Sequence, residues 1–329
     1  MTYQIKIPSW IKLTFIPIFI IFLNLFQLSQ AQEYPIRPIT IVVPFPAGTA
    51  VDNAIRPLTN ELQKILGQPI IVDNRPGAQG VIGSLFVAKS KSDGYTLLAG
   101  SSTTLAANVG LFKNLPFNPL KDFQPISGLG YTSMLFAVRS DSPIKDIKGL
   151  ISQYKNANTP IAAGYGSSSG RVALAILSKS SNVAFTTVPY KGTPQVINDL
   201  ISGILPFAAF DVGSAVPHIK PGGKLTALAI TGTGRSVSAP ELPTLSEMYP
   251  GTGLITWLAI VGPAGMEISI VNKLQNAITL ALTKQEIKQN YAALSIEVEP
   301  LAADDLSKRM QKDQAIWLEL IRTIGIEPE

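Results

Sequence analysis

Short apolar runs recur along the chain, and between them lie stretches whose apolar residues follow a helical repeat. The runs at residues 39–44, 69–73, 95–99, 134–138, 160–163, 185–188, 207–210, 225–230 and 257–261 are the predicted strands. Most are continuously apolar rather than alternating, the pattern of strands covered on both faces by helices. Helices are predicted over 51–66, 80–90, 147–156, 172–180, 194–202, 268–283, 284–294 and 302–321. In the first, Ala54, Ile55, Leu58, Leu62, Ile65 and Leu66 fall on one face, and Gly67 follows as a C-cap. Pro57 is tolerable there only if the helix begins near Asp52 or Asn53, where the first amides have no carbonyl partner. Strands alternating with helices define an α/β fold with right-handed crossovers.

The strands group into a set ending near residue 99 and a set starting near residue 160. A Pro/Asn-rich stretch, 114–125, separates them, and a second irregular stretch, 235–253, follows the later set. Residues 257–261 then lead into helices with no strand set of their own. The economical arrangement is a second domain inserted into the first, with crossings near 132–138 and 256–261. The expected division is 32–134 with 256–329 for domain 1, and 135–255 for the inserted domain 2.

Residues 1–31 are expected to be a cleaved secretory signal. Lys6 and Lys12 give a basic start, residues 13–23 are mostly apolar, and Ser29-Gln30-Ala31 puts small residues where a signal peptidase reads them. As a helix the apolar run would reach only about 16 Å, against about 30 Å of hydrocarbon. Extended to Phe26, it carries Pro17 and Asn24. Cleavage after Ala31 would deliver the mature chain to the periplasm, and no other stretch is long and apolar enough to span a membrane. The 329 residues include no Cys and one His, His218. Disulfides, thiolate nucleophiles, iron–sulfur clusters, Cys-ligated zinc and multi-His metal sites are thereby excluded. Loss of Lys6 and Lys12 with the signal would lower the formal charge from +5 to +3, too small and too scattered for a nucleic-acid surface. No cofactor and no metal is expected.

Three turns, each leaving a strand and entering a helix, are candidates for chemistry, because ligands of open α/β sheets sit at the carboxyl ends of strands. The first holds Phe45, Ala47, Gly48, Thr49 and Asp52. Its free amides and helix dipole favour an anion; the equal alternative is an ordinary loop in which Asp52 only caps the helix. The second holds Ser101, Ser102 and Thr103, small hydroxyl residues that let a ligand approach the backbone or that cap a helix. The third runs from Gly164 through Gly166, Ser167, Ser168, Ser169 and Gly170 to Arg171. It fails as a dinucleotide fingerprint, since its spacing is G-x-G-x-x-x-G and no acid occurs between Gly170 and Asp199. As an anion cradle it has every requirement: amides, hydroxyls and a helix start. Structural capping ranks second. Third is a serine nucleophile elbow, Ser168 with Asp211 and His218 in hydrolase order. Asp211 and His218 lie close together in one segment, which argues against that triad. His218 itself falls in a turn bounded by Pro217 and Gly222. Lys191 reads as a surface or hinge charge, and Trp257 as a packing residue in a crossing strand.

These turns sit among further markers: Tyr34-Pro35-x-Arg37-Pro38, the IVVPFPAG segment ending at Gly48, Asp73-Asn74-Arg75-Pro76-Gly77, Ser92-Asp93-Gly94-Tyr95, Pro189-Tyr190-Lys191-Gly192, Arg235-Ser236 and Leu242-Pro243-Thr244. Together they resemble the Bug/TctC family of extracytoplasmic solute receptors, the substrate-binding proteins of tripartite tricarboxylate transporters, over nearly the whole mature chain. The resemblance implies a two-domain periplasmic-binding-protein fold, its ligand cleft between domains joined by two crossing strands. It implies no catalysis, and capture of a small organic carboxylate held by two loops, here 46–52 and 164–171, through amides and ordered waters. The implied partners are membrane transporter subunits, or a membrane sensor in place of a transporter, with the receptor itself a monomer. The chain departs from the family at Thr49, where members carry a second Gly, and at Gly170, where many carry His. Arg171 adds a fixed charge able to form a bidentate carboxylate pair. The candidate ligand contacts are therefore the first two loops' residues named above, Gly166, Ser167, Ser168, Ser169 and Arg171 from the third, and Asp211 at a strand end.

Overall fold

The computed structural model describes residues 34–155, 159–236 and 239–329; the expected signal segment, residues 1–31, lies outside them. From Arg37 onward the chain forms one compact unit. Its strands are β1 (Ile39–Val43), β2 (Ile70–Asn74), β3 (Thr96–Ser101), β4 (Phe123–Arg139), β5 (Ile161–Tyr165), β6 (Phe185–Pro189), β7 (Phe207–Asp211), β8 (Leu225–Ile230), β9 (Ile255–Pro263) and β10 (Glu297–Val298). Its α-helices are α1 (Ala50–Leu66), α2 (Val81–Ala88), α3 (Asn108–Leu111), α4 (Ile147–Tyr154), α5 (Ser168–Ser181), α6 (Thr193–Ser202), α7 (Val212–Ile219), α8 (Leu245–Met248), α9 (Ile268–Thr283), α10 (Gln285–Ala293) and α11 (Ala303–Ile324). A wide π-helical turn, Thr103–Ala107, leads into α3.

The ten strands are ordered β2-β1-β3-β9-β4-β7-β5-β6, with β8 and β10 also on β4. The strand-turn-helix units pair in parallel, β1 with β2 and β3, and β5 with β6 and β7. The 17-residue β4 is antiparallel to everything it touches and changes partners midway. Residues 123–133 pair with β9, and residues 134–139 with β7 and β8. Thr132 lies opposite Thr256 and Ser133 opposite Ile255, so the two segments expected to cross are neighbouring strands.

The apolar runs are buried as their composition demands. Val42, Leu98, Phe136, Ala163, Phe207 and Ala259 are fully buried in one large core, while Leu135, Ala208, Phe210 and Ile230 share another with α6 and α7. Phe136 and Phe207 stack at 6.0 Å between centroids.

β4 begins eleven residues before the predicted strand at 134–138, and its first three residues overlap the stretch expected to be irregular, 114–125. Pro125, Gly128 and Gly130 break its apolar pattern, and register shifts at 125/127 and 128/130 absorb them. Gly130 has φ 159°, and a Cβ there would sit 2.3 Å from the Glu297 carbonyl of β10. Helix α1 starts at Ala50, earlier than Pro57 suggested, so Pro57 lies inside it. Burial of Ala54, Ile55, Leu58 and Leu62 outweighs the one missing amide. His218 is not in a turn: it lies in the last turn of α7, which Asp211 starts by accepting the Ser214 amide.

Candidate ligand-binding site

The first loop connects β1 to α1, and Asp52 builds it from beneath. Its carboxylate is almost wholly buried and accepts the Gly48 amide (2.9 Å), the Arg56 Nε and Nη2 (2.9 Å each) and the Asn74 Nδ2 (2.9 Å). Burial pushes its pKa up, but these hydrogen bonds and the Arg56 charge outweigh it, holding the carboxyl below the usual value. Gly48 has φ 83°, the left-handed turn that brings its amide over Asp52. Asn74 also donates to the Phe45 carbonyl at 3.1 Å, and the Thr49 hydroxyl donates to the Pro46 carbonyl at 3.0 Å.

The second loop follows β3. Thr104 Oγ1 accepts the Ser101 amide (3.1 Å) and donates to the Ser101 carbonyl (3.2 Å), closing the turn locally. The hydroxyls of Ser101 and Ser102 are buried and have no protein partner. A buried hydroxyl without a partner is costly unless water or a ligand completes it.

The third loop follows β5. Ser167 caps α5 by accepting the Gly170 amide at 3.2 Å. Gly166 lies where a Cβ would meet the Thr193 backbone nitrogen at 2.4 Å. Two hydroxyl contacts tie this loop to the second: Ser169 Oγ with Thr103 Oγ1 at 2.9 Å, and Ser168 Oγ donating to Asn108 Oδ1 at 2.7 Å.

The loops together line one pocket. The first contributes Phe45 and Thr49, the second Ser101, Ser102 and Thr103, the third Gly166, Ser167 and Ser169, and Asp211 stands beside them. Of the other residues singled out in the sequence, Ala47, Gly48, Asp52, Ser168 and Arg171 are not part of its wall. Asp52 and Ser168 are instead committed to the hydrogen bonds above. Arg171 binds the C-terminal tail, its Nη1 2.8 Å from Glu329 Oε1 and its Nη2 3.3 Å from the Glu327 carbonyl. Residues not foreseen complete the wall: Ala50 and Val51 of α1, Thr132 and Met134 of β4, Thr256 and Leu258 of β9, and Thr193 of α6. The crossing strands carried the signal, since residues two apart on a strand share a face.

Arg171→Ala should therefore leave ligand affinity within about twofold. With Glu329 largely exposed, the pair contributes about 0.2–1 kcal/mol, to be read from denaturant unfolding. A tenfold loss in affinity by calorimetry would show that the side chain serves the ligand after all.

The serine triad is not assembled. Ser168 donates to Asn108, and Asp211 accepts from the Ser214 amide (2.8 Å) and the Thr193 hydroxyl (3.1 Å). Burial first, then the Lys224 charge, lowers the His218 pKa.

Comparison with known proteins identifies the family and the fold. The TctC family model, described as a tripartite tricarboxylate transporter family receptor, matches residues 54–326. The solved periplasmic binding protein BugD is 28% identical, with a TM-score of 0.85, over 90% of this chain and 100% of its own. MatC from Rhodopseudomonas palustris, solved with bound malate, is 30% identical at a TM-score of 0.82, over 88% of this chain and 100% of its own. An R. palustris protein solved with adipate is 26% identical at 0.87, over 90% and 100%. The chain belongs to the TctC family. It is a solute-binding protein of the periplasmic type, with a mixed α/β fold, and not an enzyme.

Proposed function

We propose that this protein captures a small organic carboxylate in the pocket between its loops and delivers it to the membrane subunits of a tripartite tricarboxylate-type transporter. The carrying observation is that the N-terminal ends of two long helices, α1 and α5, open onto one pocket whose wall has no cationic side chain. Free amides and dipole ends favour an anion without a buried counter-charge, and the unpartnered Ser101 and Ser102 hydroxyls add donors. The bound malate of MatC and the bound adipate of the R. palustris neighbour fit this reading.

In the same reading, residues 32–134 with 256–329 form one lobe and 135–255 the other. They close about the point where β4 changes partners. The chain reaches the periplasm by cleavage after Ala31 and works there as a monomer.

The test is a thermal-shift screen of mono-, di- and tricarboxylates beside neutral amides and sugars. A carboxylate at about 100 times its dissociation constant should stabilise by about 2.7 kcal/mol, or roughly 5–10 °C. Shifts by neutral compounds and none by any carboxylate would refute the reading. Crosslinking of the loaded receptor to transporter subunits rather than to a membrane kinase tests the partner.

A further inference from the structure

The pocket wall has one ionisable side chain, Asp211, and the strand register fixes where it stands. β5 and β7 run parallel with Tyr165 beside Ala209. Ser167 and Asp211 each lie two residues beyond that pair, at the carboxyl ends of neighbouring strands. Each caps the helix that follows its strand. Thr193 binds the two positions together. Its hydroxyl donates to Asp211 Oδ2 at 3.1 Å, and its backbone nitrogen occupies the space left by the missing Cβ of Gly166. The acid therefore lies beside the start of α5, the end that favours an anion, and not at a distant part of the pocket.

That juxtaposition constrains the ligand. A carboxylate seated at α5 has a like charge as its neighbour and no cation in the wall to offset it. A hydrogen-bond donor on the carbon next to the carboxylate changes the sign of the encounter. Each Asp211 oxygen accepts one protein hydrogen bond, and a carboxylate oxygen has a second lone pair to offer. A hydroxyl or ammonium on that carbon is at the right end of the ligand to use it. In the second loop, which Thr103 ties to Ser169 of α5, the buried Ser101 and Ser102 hydroxyls, 6% and 0% exposed, have no protein partner and are free to donate to the carboxylate.

Building on the carboxylate reading, we propose that Asp211 makes this receptor selective for 2-hydroxy or 2-amino carboxylates over the same acids without a donor at that carbon.

Calorimetry on the mature chain tests this with matched sets: propionate, lactate and alanine; succinate, malate and aspartate; glutarate, 2-hydroxyglutarate and glutamate, in both enantiomers where they exist. In the set that fits, the hydroxy or amino acid should bind at least tenfold tighter than its unsubstituted partner. Such a ratio is what one charge-assisted hydrogen bond supplies. Asp211→Asn keeps a helix-capping side chain and should shrink that ratio at least fivefold. Equal or tighter binding of the unsubstituted acid in wild-type protein overturns the proposal without any variant, as does a ratio that survives Asp211→Asn. If only acids lacking such a donor bind, such as adipate or benzoate, the carboxylate reading stands and this inference falls. If no carboxylate binds, both fall.

Discussion

Gly166→Ala should weaken the best-binding carboxylate roughly 10- to 150-fold, the loss of one charge-assisted hydrogen bond, and should lower stability by about 1–3 kcal/mol. The new Cβ would lie 2.4 Å from the Thr193 nitrogen and 2.5 Å from the Gly192 carbonyl carbon. Both are backbone atoms, so no side-chain rotation relieves the overlap. The third loop and the start of α6 must separate by about an ångström, and Ser167 and Asp211 move with them. Gly192 cannot retreat freely, because Pro46 of the first loop packs on it: a Cβ there would fall 2.6 Å from the Pro46 ring. The disturbance thus reaches both loops. Gly234→Ala is the matched control, since nothing lies within 4 Å of its added carbon, and it should leave affinity unchanged. Calorimetry and denaturant unfolding on the two variants decide the matter. A Gly166→Ala protein that binds like wild type would show that the third loop does not hold the ligand.

Strands buried on both faces announce themselves. The continuous apolar runs placed β1 and β7 to within a residue at each end. Composition failed where tertiary contacts decide. The first half of β4 contains Pro125, Gly128 and Gly130 and still pairs with β9, because bulges and the close approach of β10 suit those residues. One local signal was present and overlooked: Thr244 and Glu247 form a reciprocal capping box that starts α8 inside a stretch read as irregular. The three turns at the carboxyl ends of β1, β3 and β5 were legible as candidates, since small residues and hydroxyls before a helix have a physical meaning. Which side chains face the pocket was not. Arg171 sits one turn into α5, and its direction depends on a tail more than 150 residues away. Thr132 and Thr256 face the pocket only because β4 and β9 meet in the register they do.

Asp52→Ala should lower stability by about 2–4 kcal/mol, or roughly 5–15 °C in Tm, and should loosen the first loop. The substitution leaves the Asn74 amide and the Gly48 amide without their acceptor and the Arg56 guanidinium without its bidentate partner. Arg56 is half exposed and recovers in water much of what it loses; the half-buried Asn74 amide recovers less, and the almost wholly buried carboxylate leaves a gap behind it. Asp52→Asn should lie between the two proteins, since it keeps an acceptor but loses the charge. The acid dependence follows from the direction of the shift. The folded carboxyl titrates below the ordinary aspartate value of 3.8, so its contribution is complete above that value and is lost as pH falls through the lower, folded one. Between pH 5 and pH 2.5 wild type should therefore lose more stability than Asp52→Asn, whose amide does not titrate, and the two unfolding curves should converge in acid. If the curves instead run parallel down to pH 2.5, or if Asp52→Ala melts within about 2 °C of wild type, the Asp52 network is not what holds the loop at the mouth of α1.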